Sequence, residues 1–227
     1  MTFNINQRFQ FLNDLTTMVV NNTTPSLIVT GEGGLGKTHS VTETIKSNDL
    51  SEDRYVFFKG YSTARGLYNT LYDNNDKLII FDDCDSVLDD KVALNILKSA
   101  LDSYETRTIS WMAKMNKNDE YPQQFEFTGR IIFISNKSIT DVNEAVRSRS
   151  LTVDLTMTPS DKIERMNAII EDILPEYSLE FKKDALTFLS EVCNEVSVNM
   201  RMLIMVTKMR YNYPDRWRDL ASYMVRS

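Results

Sequence analysis

The chain has 227 residues and a formal net charge of −6 at neutral pH, from 26 basic and 32 acidic side chains. This length suits one α/β unit with a helical appendage and a substantial core, and we expect no separate substrate-recognition domain. The acidic balance disfavours a nucleic-acid footprint over the whole surface, two isolated cysteines exclude a disulfide framework, and we expect a cytoplasmic protein with no membrane segment or targeting signal.

The predicted elements begin with a helix over residues 5–20, followed by a buried strand over residues 26–30. Directly after that strand, residues 31–38 read Gly-Glu-Gly-Gly-Leu-Gly-Lys-Thr, which has the G-x-x-x-x-G-K-[ST] spacing of a Walker A loop. Glycines permit the φ angles that turn backbone N–H groups onto a phosphate. The sequence therefore predicts a phosphate-binding loop, or P-loop, that opens a helix over residues 38–47.

The P-loop predicts ATP and Mg²⁺ as ligands. Lys37 reaches the β- and γ-phosphates, the Thr38 hydroxyl is a ligand of Mg²⁺, and the positive end of the helix adds its dipole. We interpret His39 as a helix-surface residue, with a nucleotide contact as the alternative. The predicted nucleotide-binding residues are Gly31, Gly33, Gly34, Gly36, Lys37, Thr38 and His39.

The next elements are a strand at residues 55–58, a helix at residues 63–72 and an apolar strand at residues 77–81 that ends in two carboxylates. Such an ending is typical of a Walker B strand, in which Asp82 holds the metal and Asp83 polarises the attacking water. A nucleotide-binding loop alone does not indicate hydrolysis, so this second motif is what predicts an ATPase.

Two alternating segments, residues 106–111 and 124–128, predict a β-hairpin, with a surface loop between two sheet strands as the alternative. An apolar strand over residues 130–134 follows. A short helical segment over residues 141–146 precedes the last strand, at residues 151–155. Because strands alternate with helices throughout this part of the chain, we expect a parallel sheet covered by helices on both faces.

From residue 158 onward the pattern is helical only. Thr158 before Pro159, and then Ser178 and Asn199, are predicted N-caps of successive helices. The predicted fold is therefore α/β, with a P-loop parallel sheet flanked by helices over residues 1–157 and an all-helical lid over residues 158–227.

The order of these motifs resembles the AAA+ ATPases, particularly the clamp-loader and helicase-loader branches, and the compact chain resembles small AAA+ ATPases encoded by tailed bacteriophages. By this resemblance Asn136 is the sensor 1 residue that orients the attacking water, and Arg201 is sensor 2 from the lid. Arg149 is the arginine finger that acts on a neighbouring subunit. Arg147 is the alternative finger, and surface charge is the alternative role for both. The alternative for Arg201 is an ordinary arginine on the helix surface. The family usually has Glu where this chain has Asp83, which leaves slow hydrolysis open.

A finger that acts in trans implies a homo-oligomer, which we expect to be a hexameric ring. The first functional hypothesis is a motor or loader that acts on DNA, or on a replication protein, in replication, recombination or repair. The second is an assembly or remodelling ATPase that acts on a protein partner without binding DNA. The rate of ATP hydrolysis with and without DNA separates the two.

Three features are candidate contacts of such partners. By the resemblance, the predicted hairpin projects toward a ring pore, where Lys114 and Lys117 would contact a nucleic-acid backbone. Tyr61 is a candidate pore aromatic. The basic and aromatic segment over residues 197–227 binds nucleic acid or docks on the acidic surface of the next subunit.

Overall fold

The structure is a computed structural model and describes residues 3–104, 106–112 and 120–226. The chain divides into two compact units, which we call the sheet unit and the lid unit. The sheet unit consists of Phe9–Gly31 and Lys37–Leu155. The lid unit consists of Met1–Arg8, Glu32–Gly36 and Thr156–Ser227.

The strands of the sheet unit follow the predicted order along the chain. Strands β1 to β7 are Ser26–Thr30, Tyr55–Lys59, Leu78–Asp82, Thr108–Ser110, Gln124–Glu126, Arg130–Ile134 and Leu151–Asp154. Within the described residues, five of them form a parallel sheet in the order β2-β3-β6-β1-β7. Since β6 lies between β1 and β3, the residues that follow these three strands meet at one edge of the sheet.

Helices precede, separate and follow the strands. Helices α1 to α10 are Ile5–Val20, Lys37–Ser47, Ala64–Asp73, Ser86–Asp89, Lys91–Ala100, Glu144–Arg147, Pro159–Ala168, Leu179–Val192, Met200–Asn212 and Trp217–Arg226. None of the helices in the described part of the chain combines the length and apolar composition needed to cross a membrane.

The core of the sheet unit explains why its central strands are continuous apolar runs. Ile79 and Phe133 pack with α3 and α5 in one buried cluster. The alternate residues Ile80 and Ile132, which point to the opposite face, are also fully buried. The sheet is therefore covered on both faces, and the predicted fold class is confirmed.

The predicted hairpin is present in the described residues. Strands β4 and β5 pair antiparallel, with Ile109 opposite Phe125. The Arg65 guanidinium lies 5.3 Å from the Trp111 ring centre and 5.6 Å from that of Tyr121, beside the hairpin. Lys114 and Lys117, the predicted nucleic-acid contacts, lie outside the described residues.

One predicted element differs from the structure. In place of a single helical segment over residues 141–146, there is a 3-10 turn at Ile139–Asp141 and then the short helix α6. The Ser138 hydroxyl accepts from the Thr140 amide, and the Asn143 side chain accepts from the Ala145 amide. Each side chain starts its own turn, because Ser and Asn compete with the helical backbone for hydrogen bonds.

The lid unit contains helices α7 to α10, and the starts of α7, α8 and α9 are those predicted from the sequence. Thr158 and Asp161 form a reciprocal capping box at α7, with proline in its first turn. The Ser178 hydroxyl caps α8, and the Asn199 side chain caps α9 by accepting from the Met202 amide.

Candidate nucleotide-binding site

The P-loop has the backbone conformation that its glycines predict. Gly31, Gly34 and Gly36 have φ angles of +130°, +75° and +91°. These lie in a region that residues with a side chain rarely adopt. A Cβ atom on Gly31 would also lie 2.8 Å from the carbonyl carbon of Leu155, so this position accepts only glycine. The Gly36 position is open, which leaves the backbone there accessible to a ligand.

Lys37, the first residue of α2, is buried with its ammonium directed at this edge of the sheet. Its Nζ atom donates to the Gly31 carbonyl oxygen at 2.6 Å and to Asn136 Oδ1 at 2.9 Å. A buried ammonium requires such acceptors. It is thereby positioned next to the loop whose phosphate ligand it is predicted to bind.

Thr38 and Asp82 provide a pair of oxygen ligands. The Thr38 hydroxyl donates to Asp82 Oδ1 at 3.0 Å, and the Asp82 side chain is buried at the end of β3. Asp82 Oδ2 lies 2.9 Å from Nζ of Lys59. We did not predict this ion pair, although Lys59 ends β2 and lies opposite Asp82 in the sheet register. A basic residue at the end of a strand neighbouring the Walker B strand was the signal for it.

Asn136 connects Lys37 to Asp83. Its Nδ2 atom donates to Asp83 Oδ1 at 2.6 Å, while its Oδ1 atom accepts from Lys37. Asp83 has a φ of +56°, and its amide donates to the carbonyl oxygen of Ile134 on β6. The structure thus brings the predicted base and the predicted sensor 1 residue into direct contact, at the exposed edge where a water molecule can approach.

Asp85, the next carboxylate along, has a different partner. Its Oδ1 atom accepts from the Ser135 hydroxyl at 2.6 Å, which holds it beside the end of β6. Between Asp83 and Asp85, burial raises the pKa of the Cys84 thiol to about 11, and the neighbouring Asp82 carboxylate adds to the shift. The thiol is therefore neutral at physiological pH and is not a nucleophile.

The remaining predicted residues of the sheet unit are on the surface. His39 is exposed on α2. Arg149 is exposed just before β7, which forms an edge of the sheet, and its guanidinium donates to the Ala145 carbonyl at 2.8 Å. Arg147 is less exposed and donates to the Ile139 carbonyl at 3.1 Å. Of the two arginines, Arg149 is the one more accessible to a neighbouring molecule.

Arg201 belongs to the lid unit, where it is the second residue of α9 and is exposed. Asn199 caps this helix directly before it, so the backbone position of Arg201 is fixed. Its assignment as sensor 2 stays a prediction.

The basic C-terminal segment is not a free row of positive charge. Three of its arginines form ion pairs with acids of the lid unit. These pairs are Arg210 with Asp184, Arg218 with Glu191, and Arg226 with Glu195. Aromatic rings contact two of them as well, since the Arg210 guanidinium lies 5.1 Å from the Phe181 ring centre and that of Arg218 lies 5.1 Å from that of Trp217. Much of the positive charge in this segment is therefore neutralised within the lid.

The sheet order, the P-loop and the residues at the ends of β3 and β6 define a P-loop α/β fold of the AAA+ type. Solved structures with this fold support the assignment. The chain matches a mutant form of RuvB from Thermotoga maritima with a TM-score of 0.57 and 11% identity over 92% of the chain. It matches NtrX of Brucella abortus in complex with ADP with a TM-score of 0.56 and 13% identity over 90%. It spans 64% and 48% of the length of those two chains.

A sequence relative comes from a bacteriophage. The chain is 28% identical, over 98% of its length and 74% of the relative's, to an uncharacterized 36.7 kDa protein in the nrdC-mobD intergenic region of Enterobacteria phage T4. No protein-family model matches the chain. The comparisons therefore show the AAA+ fold and a phage-encoded relative.

Proposed function

We propose that this chain binds ATP with Mg²⁺ at residues 31–38 and hydrolyses it. The observation that carries the proposal is the hydrogen-bonded series from Lys37 through Asn136 to Asp83, beside the pair of Thr38 and Asp82. Three kinds of group thus lie together at the ends of β1, β3 and β6. They are a cation for phosphate, two oxygen ligands for a metal, and an exposed carboxylate that can accept a proton from water. Binding and hydrolysis need this set of groups together.

The residues present fit ATP and Mg²⁺. Mg²⁺ is usually held by one or two carboxylates together with substrate phosphates, and not by a cage of protein ligands. Thr38 and Asp82 would hold the ion, which when bound neutralises negative charge on the phosphates.

The proposed roles in hydrolysis follow from the contacts at Asn136. Asp83 is the general base that takes a proton from the attacking water. Asn136 fixes the Asp83 carboxylate by donating to it and, by accepting from Lys37, is itself held in one orientation. Lys37 binds the phosphates, and the backbone N–H groups of the P-loop surround them.

We further propose a homo-oligomeric ring, with six subunits as the expected number. Arg149 supplies the finger to a neighbouring subunit, since it is exposed before an edge strand. Arg201 serves as sensor 2 from the lid. In this proposal residues 1–157 form the nucleotide-binding domain and residues 158–227 the lid. The protein acts in the cytoplasm, which is that of the host if the chain is phage-encoded like its T4 relative.

The first candidate substrate is DNA, in replication, recombination or repair. A further match supports it, to a Thermotoga maritima structure described as the RuvB Holliday junction branch migration motor. The TM-score is 0.51 and the identity 12%, over 91% of this chain and 62% of that one. The predicted DNA contacts in this chain are the hairpin, through Lys114 and Lys117, and the basic C-terminal segment. Tyr61, the candidate pore aromatic, is exposed after β2.

The second candidate is a protein partner that the chain assembles or remodels without binding DNA. The observation in its favour is the neutralisation of Arg210, Arg218 and Arg226 by acids of α8 and the turn after it. A net charge of −6 points the same way, because phosphate contacts dominate the affinity of most DNA-binding proteins.

The ATP site is tested by Lys37→Met, which keeps the aliphatic stem and removes the ammonium. We expect ATP affinity to fall by about a hundredfold, since a charge-assisted hydrogen bond to phosphate is lost. Titration calorimetry with a non-hydrolysable ATP analogue measures it. Lys46→Met, at the exposed end of the same helix, is the matched control and should bind as the wild type does. Equal affinity of the wild type and Lys37→Met would contradict the proposed site.

DNA stimulation separates the two candidate substrates. A motor on DNA should hydrolyse ATP several times faster with single-stranded or duplex DNA, at low salt, where attraction to phosphate is strongest. The Lys37→Met variant measures any contaminating ATPase in the same assay. An unchanged rate, together with no DNA binding at low salt, would remove the DNA motor and leave the protein partner.

A further inference from the structure

A buried lysine of the lid unit contacts the P-loop. Lys162 lies on α7 with only 5% of its surface exposed. Its Nζ atom donates to Glu32 Oε2 at 2.5 Å and to the Ser197 hydroxyl at 3.1 Å. Glu32 is the second residue of the P-loop, so an ammonium of the lid unit binds the loop that is predicted to bind phosphate.

The same short loop has a second attachment within the lid unit. The Met200 amide, in the first turn of α9, donates to the Gly34 carbonyl oxygen at 3.0 Å. A Cβ atom on Gly34 would lie 3.4 Å from the Asn199 side chain, which shows how closely the two segments approach. Residues 32–36 thus contact two different helix regions of the lid unit.

The ion pair is asymmetric, and the asymmetry indicates which partner is fixed. The Lys162 side chain is 6% exposed, whereas that of Glu32 is 50% exposed. A buried ammonium without an anionic partner is strongly unfavourable, while a half-exposed carboxylate is well hydrated without one. The buried lysine therefore fixes the position of the Glu32 carboxylate. Because Glu32 is part of the loop, this ion pair also restrains the loop backbone.

The amino-acid composition of the loop explains why such a restraint would matter. Four of its eight residues, positions 31–38, are glycines. Glycine loses more conformational entropy on ordering than any other residue, so a glycine-rich loop is costly to keep in one shape. Position 32 is a variable position of the phosphate-binding motif, and the motif itself does not supply this contact.

We infer that Lys162 is a positioning residue that holds the P-loop, through Glu32, in the conformation that binds phosphate. The inference rests on the proposed function for its effect on ATP, whereas the ion pair of Lys162 with Glu32 can be tested by itself. In this proposal contacts within the lid unit order residues 32–36, and ATP affinity depends on a residue far from the P-loop in the sequence.

Amide hydrogen exchange in the nucleotide-free protein tests the contact directly. In Lys162→Met we expect the Met200 amide, which donates to Gly34, to exchange about tenfold faster than in the wild type. Amides in the middle of α8 should keep their protection, which shows that the lid is folded. Lys183→Met, an exposed lysine on α8, is the matched control and should change neither. Unchanged Met200 exchange in Lys162→Met would overturn the inference.

A double-mutant cycle on ATP-analogue affinity tests the coupling. Glu32→Gln and Lys162→Met should each weaken binding by about tenfold, while the double variant should bind no more weakly than Glu32→Gln alone. Losses that multiply to about a hundredfold in the double variant would mean two independent structural effects and overturn the inference. If the wild type binds no ATP, the proposed function fails, and the exchange experiment alone decides the role of Lys162.

Discussion

Arg149→Ala should lower the rate of ATP hydrolysis by about three orders of magnitude and leave ATP affinity unchanged. The reason is that a guanidinium supplied to the transferring phosphoryl group stabilises charge that develops only in the transition state. Arg149 is exposed before the edge strand β7, where a neighbouring molecule can reach it. Steady-state hydrolysis and analogue binding, measured on the same preparation, separate the two quantities.

Mixed oligomers show whether the finger acts in trans. Arg149→Ala lacks the finger and Asp83→Asn lacks the base, so each is inactive alone. Mixing them should restore part of the activity, because some interfaces then pair an intact base with an intact finger. No recovery, with mixing confirmed by native mass measurement, would show that Arg149 acts within its own subunit or has no catalytic role.

Arg147→Ala is the matched control for the finger. Arg147 is less exposed and donates to the Ile139 carbonyl, so we expect its loss to affect hydrolysis by less than about tenfold. If instead Arg147→Ala is the variant that loses about a thousandfold, the two arginines exchange roles and the trans mechanism is retained.

Asp83→Asn should abolish most hydrolysis, by about a thousandfold, while ATP binding is preserved. The water loses its base, but Asp82 remains to hold the metal. The substitution disturbs the structure little. Asparagine is among the residues that best tolerate the left-handed backbone at this position, where φ is +56°, and its side-chain oxygen can still accept from Asn136.

Asp85→Asn tests whether the base has been assigned to the correct acid. Asp85 accepts from the buried Ser135 hydroxyl and not from Asn136, so we expect its amide variant to keep most of the hydrolysis rate. Normal hydrolysis by Asp83→Asn, with loss in Asp85→Asn, would transfer the base to Asp85. The comparison uses two isosteric changes two residues apart.

Local signals in the sequence were sufficient for most of the fold. The N-caps at Thr158, Ser178 and Asn199 were predictable because a capping side chain bonds to an amide two or three residues away. The parallel sheet was predictable because buried strands read as continuous apolar runs. The helical segment before Arg147 was wrong in its bounds, since Ser138 and Asn143 divide it into separate turns.

The residues of the candidate site could be predicted from the sequence, but not all of their contacts. The two Walker motifs predicted that Lys37, Thr38 and Asp82 belong to one site. In the structure Thr38 donates to Asp82, and Lys37 donates to Asn136. The hydrogen bond between Asn136 and Asp83 could not be predicted without the sheet order. In that order the strands that precede these two residues are neighbours. Their catalytic roles stay predictions until the variants are measured.

The ion pairs of the lid unit could not be predicted because they join residues from different segments of the chain. Lys162 and Glu32 are 130 positions apart, and nothing in the composition around either residue indicates the other. For the same reason, the sequence did not indicate which acids pair with Arg210, Arg218 and Arg226. A count of charges along residues 197–227 shows six basic residues and two acidic ones, but the neutralising acids are in an earlier part of the lid.

Those three ion pairs affect how the salt dependence of DNA binding by this protein would be interpreted. A lysine or arginine that meets DNA from solution releases one mobile counterion from the phosphates, and the salt slope counts such contacts. Carboxylates of the same chain already neutralise Arg210, Arg218 and Arg226. For these side chains, contact with DNA would be an exchange of carboxylate for phosphate. The released carboxylate would then recruit a cation from the buffer, so the slope would undercount the contacts made.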